Sequence, residues 1–297
     1  MQNATTDSVK SLVHRAEHFH RFGELSAAEE ALRNALKEDK SYGPAWDLLG
    51  LVYLDAEKLK KAEECFEKAI ATDKKWLDPV ENLGMLQYSQ GEYKEAIQTL
   101  TRYIDLGGSD IDVLLGLTKA AFQVNDCKTV LSVTSKILEI EDDLYEVWEM
   151  RGICQATLDR FNAACTSLNA AIDLNPRAIN AINTVGNLCY KAENYVRAVE
   201  FYEMSLKVRK KQPTVLFRYG TSLWLIERWP EAIPVLEQYT ELSPEDPKGW
   251  NNLGVVLREK GEVKRAVECY KKALDIDKTL EIVERNLETA KDMQVLL

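Results

Sequence analysis

Residues 43–76 read GPAWDLLGLVYLDAEKLKKAEECFEKAIATDKKW. Trp46, Leu49, Gly50 and Tyr53 fall on one stripe at helical spacing, and Ala62, Phe66 and Ala69 fall on a second. The stretch therefore predicts two amphipathic helices joined by a short break. Moving outward, the same arrangement returns. Gly50, Gly84, Gly152, Gly186, Gly220 and Gly254 are separated by 34, 68, 34, 34 and 34 residues. Twelve residues after each glycine stands an alanine: Ala62, Ala96, Ala164, Ala198, Ala232 and Ala266. Thr118 with Val130 fills the empty slot, and Ala16 with Ala28 precedes the first. The chain is a 34-residue repeat, with frames 9–42, 43–76, 77–110, 111–144, 145–178, 179–212, 213–246 and 247–280.

The punctuation agrees with the period. Polar breaks such as Gln90-Gly91-Glu92 and Lys260-Gly261-Glu262 separate the stripes, and Asp78-Pro79, Gln212-Pro213 and Asp246-Pro247 mark helix starts. Glycine in a helix interior costs about 1 kcal/mol against alanine, so six at one frame position call for an offsetting gain in packing. Close approach of the paired helix supplies it, with the alanine twelve residues on expected to serve the same contact. Pro234 removes a donor one turn into a second helix and is expected to bend it.

With Trp46, Leu49, Gly50, Tyr53, Ala62, Phe66 and Ala69 in these places, the chain resembles the tetratricopeptide (TPR) repeat family. Frames beginning at 145, 179 and 247 match well, with Trp148, Trp250 and Pro176 in their expected places. Frame 111–144 departs most, through Thr118, Val130 and Thr134. The resemblance implies an all-α fold: a right-handed α-α superhelical solenoid of eight helix-turn-helix repeats plus a C-terminal capping helix. Residues 1–8 are expected as a short flexible N-terminus. Residues 281–297 are expected as the cap, with Val283, Leu287 and Ala290 on its apolar stripe and Glu288 where a small residue would be needed to continue.

Composition narrows the function. There are 48 acids against 38 bases, a formal charge of −10, so phosphate neutralisation and an anionic membrane surface are disfavoured. No nucleic acid and no membrane insertion are expected. The start, Met1 to Ser8, has neither the basic nor the apolar stretch of a secretory signal. The six cysteines form no CxxC pair and read as small core residues in a reducing compartment, so the cytoplasm is expected.

A helical wheel puts frame positions 2, 5, 6, 9, 12 and 13 off the core stripe. The family resemblance implies that they line the inner groove of the superhelix. Frames 43–178 place Asp47, Asp55, Asp78, Glu81, Asp112, Glu146 and Glu149 there against Lys119 alone. Frames 179–280 place Lys191, Arg218, Lys248 and Arg258 against Glu259. This separation has two readings: a solvated face, or a groove that orients a ligand by charge. The second half also resembles the carboxylate-clamp version of the family. Asn187 and Lys248 match clamp positions, while Arg218 stands where Asn is usual, Asn252 where Arg is usual, and Asn183 where the first Lys is usual. Tyr88, Phe122, Tyr190 and Trp224 recur at frame position 12, either as packing between repeats or as apolar pockets between the charges.

Motifs for chemistry are sparse. His14, His18 and His20 all lie in the first helix, with no partner cluster for a metal, and no phosphate-binding glycine loop appears. The expected function is non-enzymatic and without cofactor: an adaptor, co-chaperone or assembly scaffold gripping a protein or peptide partner in its groove, with an acidic or C-terminal carboxylate suited to the basic half. The alternative is a structural scaffold that self-assembles, even weakly, through repeat surfaces.

Overall fold

The computed structural model describes residues 2–296, with side chains from Asp7 to Val295. Among these residues it consists of helices without strands, and it divides into two compact units, Met1–Asp142 and Asp143–Leu297.

The first unit holds α1 (Gln2–Arg21), α2 (Leu25–Glu38), α3 (Gly43–Asp55), α4 (Leu59–Thr72), α5 (Leu77–Ser89), α6 (Tyr93–Asp105), α7 (Ile111–Gln123) and α8 (Cys127–Ile140). The second holds α9 (Tyr145–Thr157), α10 (Phe161–Leu174), α11 (Ile179–Lys191), α12 (Tyr195–Val208), α13 (Pro213–Leu225), α14 (Trp229–Leu242), α15 (Pro247–Glu259), α16 (Val263–Ile276) and α17 (Glu281–Leu296). The turn within each pair is three residues by these bounds, which forces the two helices antiparallel.

Helix starts follow local chemistry. Proline occupies the first turn of α3, α13, α14 and α15, where its missing N–H is not needed. Asp110, Asp126, Asn194 and Asp246 accept backbone N–H bonds at the starts of α7, α8, α12 and α15. Helix α14 runs through Pro234, whose ring side is exposed. Residues 2–8, expected as a flexible terminus, are helical: α1 starts at Gln2, and no Gly or Pro interrupts the chain before Gly23.

The repeating glycines have a specific partner. A Cβ on Gly152 would stand 2.6 Å from Leu168, on Gly220 2.6 Å from Leu236, and on Gly186 2.8 Å from Tyr202. The residue sixteen positions on, not the alanine at twelve, fills the space over each glycine. That residue is among the most buried of each pair: Phe66, Leu100, Leu168, Tyr202, Leu236 and Tyr270 are all fully buried. The alanines are equally buried and belong to the same core.

Within each unit the odd-numbered helices touch the next odd one: α1–α3, α3–α5 and α5–α7, then α9–α11, α11–α13, α13–α15 and α15–α17. The backbones of successive even-numbered helices stay farther apart, bridged by long side chains such as Arg265 of α16 reaching Glu237 of α14. Each stack is therefore tighter on the odd side, which gives it an inner face of odd helices and an outer face of even ones. At the end of the second unit, α17 packs on α15 and α16 through buried Val283 and Ala290, while Glu288 points to solvent.

Candidate functional site: the inner faces of the two units

The predicted acids divide between the units and between roles. Asp47, on α3, is buried at 8% exposure and accepts a hydrogen bond from Asn82 Nδ2 at 3.0 Å. Burial lifts its carboxyl to about 6, opposed by the Asn82 bond and reinforced by the nearby charge of Asp78. It is therefore a packing residue between α3 and α5 rather than an open groove acid. Sequence position on the wheel could not reveal this, because the Asn that covers it comes 35 residues later.

Glu149, on α9, is also engaged. Its Oε1 accepts the Ala181 backbone N–H at 3.0 Å, and its Oε2 accepts from Asn180 Nδ2 at 3.4 Å. It caps the N-terminus of α11 from the neighbouring repeat, where negative charge is stabilised by the helix dipole. Glu81 is half-buried, and desolvation, with the charges of Asp110 and Asp78, raises its carboxyl. Asp78, Asp112 and Glu146 are exposed. The open acidic surface of the first unit is thus Asp78 and Asp112, with Glu81 half-sunk beside them.

The basic half lies wholly in the second unit. Asn183 is committed to the scaffold: its Nδ2 donates to Gln212 Oε1 at 3.1 Å, and its Oδ1 accepts from Ser205 Oγ. Asn252 donates to Thr221 Oγ1 at 3.2 Å and accepts from Asn251 at 3.4 Å. Both asparagines expected to hold a ligand thus also bond within the scaffold, joining α11 to α12 and α15 to α13. Asn187 is different. Its Oδ1 accepts the Tyr202 hydroxyl at 2.9 Å. The Arg218 guanidinium acts on that same hydroxyl, which burial pushes strongly upward and Arg218 partly pulls back. Tyr202, from α12, therefore brings Asn187 of α11 and Arg218 of α13 to one point.

Around this point the structure adds groups the sequence pattern missed. Asn183 and Asn187 line a hollow of about 300 Å³ with Arg209, Lys211 and Gln212 of the connection into α13 and Thr214 of its first turn. Those loop cations stand outside the helical frame positions, so a wheel cannot find them; the run Arg209-Lys210-Lys211 was the available signal. Lys191, Trp224 and Lys248 do not line this hollow. Lys191 borders a separate one with Phe161, Cys165 and Arg197. Lys191 and Lys248 are exposed, and among the described residues neither they nor Arg218 pair with a carboxylate, whereas Arg258 is bound to Glu259 at 2.8 Å. Tyr88, Phe122, Tyr190 and Trp224 are half-buried, with Tyr190 edge-on to Tyr195 at 5.5 Å.

Elsewhere, His20 Nε2 lies 2.7 Å from Asp55 Oδ2, and His14 lies 3.3 Å from Glu17. Among the described residues there is no group of three metal-ligating side chains, and no helix is long and apolar enough to cross a membrane. The six cysteines are free thiols.

Comparison with known proteins gives a consistent picture. Models of the tetratricopeptide-repeat family match residues 43–76, 80–111, 145–177 and 247–280. The chain is 26% identical over 173 residues to human tetratricopeptide repeat protein 13, covering 57% of this chain and 20% of that one. It is 25% identical over 107 residues to small glutamine-rich tetratricopeptide repeat-containing protein 2 of Mycosarcoma maydis, covering 36% and 30%. It is 26% identical over 167 residues to mouse PEX5-related protein, covering 50% and 28%. The matches thus span a fifth to a third of the length of these relatives. Among solved structures, YrrB, described as a TPR protein with an unusual peptide-binding site, superposes with a TM-score of 0.57 at 19% identity, covering 63% of this chain and 97% of that one. A chain of the Naa15/Naa10 complex bound to HypK-THB superposes with a TM-score of 0.63 at 14% identity, covering 97% and 46%. Helix pairs, glycine contacts, family matches and structural neighbours converge: the chain is a tetratricopeptide-repeat protein.

Proposed function

We propose that this protein is a non-enzymatic protein-interaction module, and that the inner face of its second unit receives an anionic peptide segment. The observation that supports this reading is the Asn187–Tyr202–Arg218 cluster beside the Arg209 and Lys211 hollow, with cations that pair with no carboxylate among the described residues. Arg218 presents a planar fork suited to a carboxylate, while Asn187, its oxygen already occupied, has amide hydrogens to donate. Lys248 on the next odd helix adds a point charge to the same sign of field. A peptide with a free C-terminal carboxylate or an acidic side chain meets these requirements, and a repeat stack holds such a segment along its inner face. The peptide-binding site named for YrrB supports this class of function.

The test is a double charge reversal, Arg218→Glu with Lys248→Glu, run beside wild type. Partners captured by wild type and lost by the variant, with an unchanged circular-dichroism melt, are the expected outcome. Equal capture by both proteins would remove the second unit's inner face as the binding surface.

A further inference from the structure

The outer face of the first unit carries a second, chemically distinct opening. The backbones of α2 and α4 stay apart, and between the two helices lies a hollow of about 450 Å³, within the roughly 300–1,000 Å³ range of ligand pockets. Its floor is apolar: Trp46, Leu49 and Tyr53 from α3, with Leu36 and Cys65. Its rim is cationic: Arg33, Lys37, Lys40, Lys61 and Lys68, against the single acid Glu64. In a chain of net charge −10, five cations around one apolar hollow are a local reversal of sign.

Part of this arrangement belongs to the repeat itself, and the chain contains its own control. Trp250 stands 204 residues after Trp46, six periods later. Lys272 lies 4.2 Å over its ring as Lys68 lies 4.5 Å over Trp46, and each indole N–H donates 2.8 Å to the preceding connection, at Pro244 O and Lys40 O. The tryptophan and its lysine are therefore packing. The rim is not. At the places of Arg33, Lys37 and Lys40 the later repeat has Glu237, Glu241 and Pro244. At the place of Lys61 it has Arg265, held by both Glu237 and Glu262. Repeat packing thus accepts acids or an internally neutralised pair at these positions.

In the first unit the cations are largely uncompensated. Arg33 pairs with Glu29 at 2.8 Å and donates to the Tyr53 hydroxyl at 3.0 Å, and Lys37 donates to Asn34 at 3.1 Å. Among the described residues, Lys37, Lys40, Lys61 and Lys68 make no ion pair. Lys61 Nζ stands 5.5 Å from the Tyr53 ring, so its charge hangs over the hollow's floor.

We infer that this outer hollow is a second docking site, for an acidic peptide segment that inserts one large apolar side chain between α2 and α4 and lays its carboxylates on the lysine rim. Charge complementarity selects the flanks, and the apolar floor selects the anchor. The site is separate from the inner face of the second unit and does not depend on the function proposed for it.

The test uses the whole chain and a short fluorescein-labelled peptide of Asp and Glu around a central Phe-Leu pair. Two control peptides replace the acids by Asn and Gln, or Phe-Leu by Ala-Ala. Anisotropy titrations are run on wild type, Lys37→Glu/Lys61→Glu, Lys37→Glu/Lys40→Glu and Arg218→Glu/Lys248→Glu, each checked by its melting curve. The expected result is binding that both control peptides weaken and that each rim reversal weakens by about tenfold or more, while Arg218→Glu/Lys248→Glu leaves it unchanged. In ¹⁵N spectra the Trp46 indole resonance moves on addition of the peptide. Binding lost only in the Arg218→Glu/Lys248→Glu protein, or insensitive to either rim reversal in folded protein, would overturn the inference. So would indifference to removal of the Phe-Leu anchor, or a rim that binds anionic phospholipid vesicles and not the peptide.

Discussion

At the level of single residues, the frame that departs most from the repeat shows how its core is balanced. Where six other pairs set a glycine against Leu, Phe or Tyr, and α1–α2 sets Ala16 against Leu32, the pair α7–α8 has Thr118 opposite Thr134, both fully buried. Two medium side chains replace one absent and one large. Each hydroxyl is satisfied by its own helix, Thr118 to Leu114 O at 2.8 Å and Thr134 to Val130 O at 2.7 Å. Thr134→Leu alone should therefore overpack the pair and lower stability by about 1–3 kcal/mol, whereas Thr118→Gly with Thr134→Leu should recover most of that loss. Urea midpoints of the four proteins of this cycle measure the coupling; strictly additive changes would mean the two positions do not share space. Asp47 makes a second residue-scale case. Its folded carboxyl titrates near 6 against an ordinary 3.8, so protonation is favoured on folding. That contribution is fully present below about 4 and is lost as pH rises through about 6. Asp47→Asn keeps an oxygen for Asn82 and removes the buried charge. The variant should gain on wild type as pH rises from 4 to 7, by up to about 3 kcal/mol. A stability difference that stays flat across that range would mean Asp47 is ionised without penalty.

At the level of elements, the turn inside each pair repeats one backbone conformation that the sequence shows only in part. Gly23, Gly91 and Gly261 take positive φ at the same frame position where Glu57, Asn125, Asp159, Glu193 and Glu227 take φ of 57°, 58°, 55°, 57° and 61°. Asn and Asp tolerate this left-handed region; Glu gains nothing there. Replacing Glu193 or Glu227 by Gly should thus raise stability by about 0.5–1 kcal/mol, since strain relief outweighs the freedom added to the unfolded chain. Thermal melts decide it, and a lowered midpoint in both variants would show that the glutamate side chains hold contacts worth more than the strain. The helices themselves were legible, because Gly50 and its equivalents, the polar breaks and the early prolines all report local constraints. The roles of Asp47, Asn183, Glu149 and Asn252 were not. Each is fixed by a partner in another helix, Asn82, Ser205 with Gln212, Ala181 and Thr221, and a wheel drawn on one helix carries no information about the next.

For the molecule as a whole, the same limit separates fold from binding surface. A repeat stack is stabilised by nearest neighbours, so its architecture is written into every period, while its ligand surfaces are written into the few positions that differ between periods. Lys37 against Glu241, or Arg33 against Glu237, is such a difference, and it becomes visible only when α2 and α4 are seen to leave a gap. Nearest-neighbour stabilisation has a consequence for the end of the second unit. Val283 and Ala290 of α17 are buried where it packs on α15 and α16. Val283→Asp would bury a carboxylate with no described partner at that contact and loosen α17. Because coupling in such stacks decays from one repeat to the next, amide hydrogen exchange should rise in α15, α16 and α17 and remain at wild-type levels in α1 to α4. Uniformly faster exchange through both units would instead reveal a single cooperative block, in which one poorly covered end is felt by every repeat.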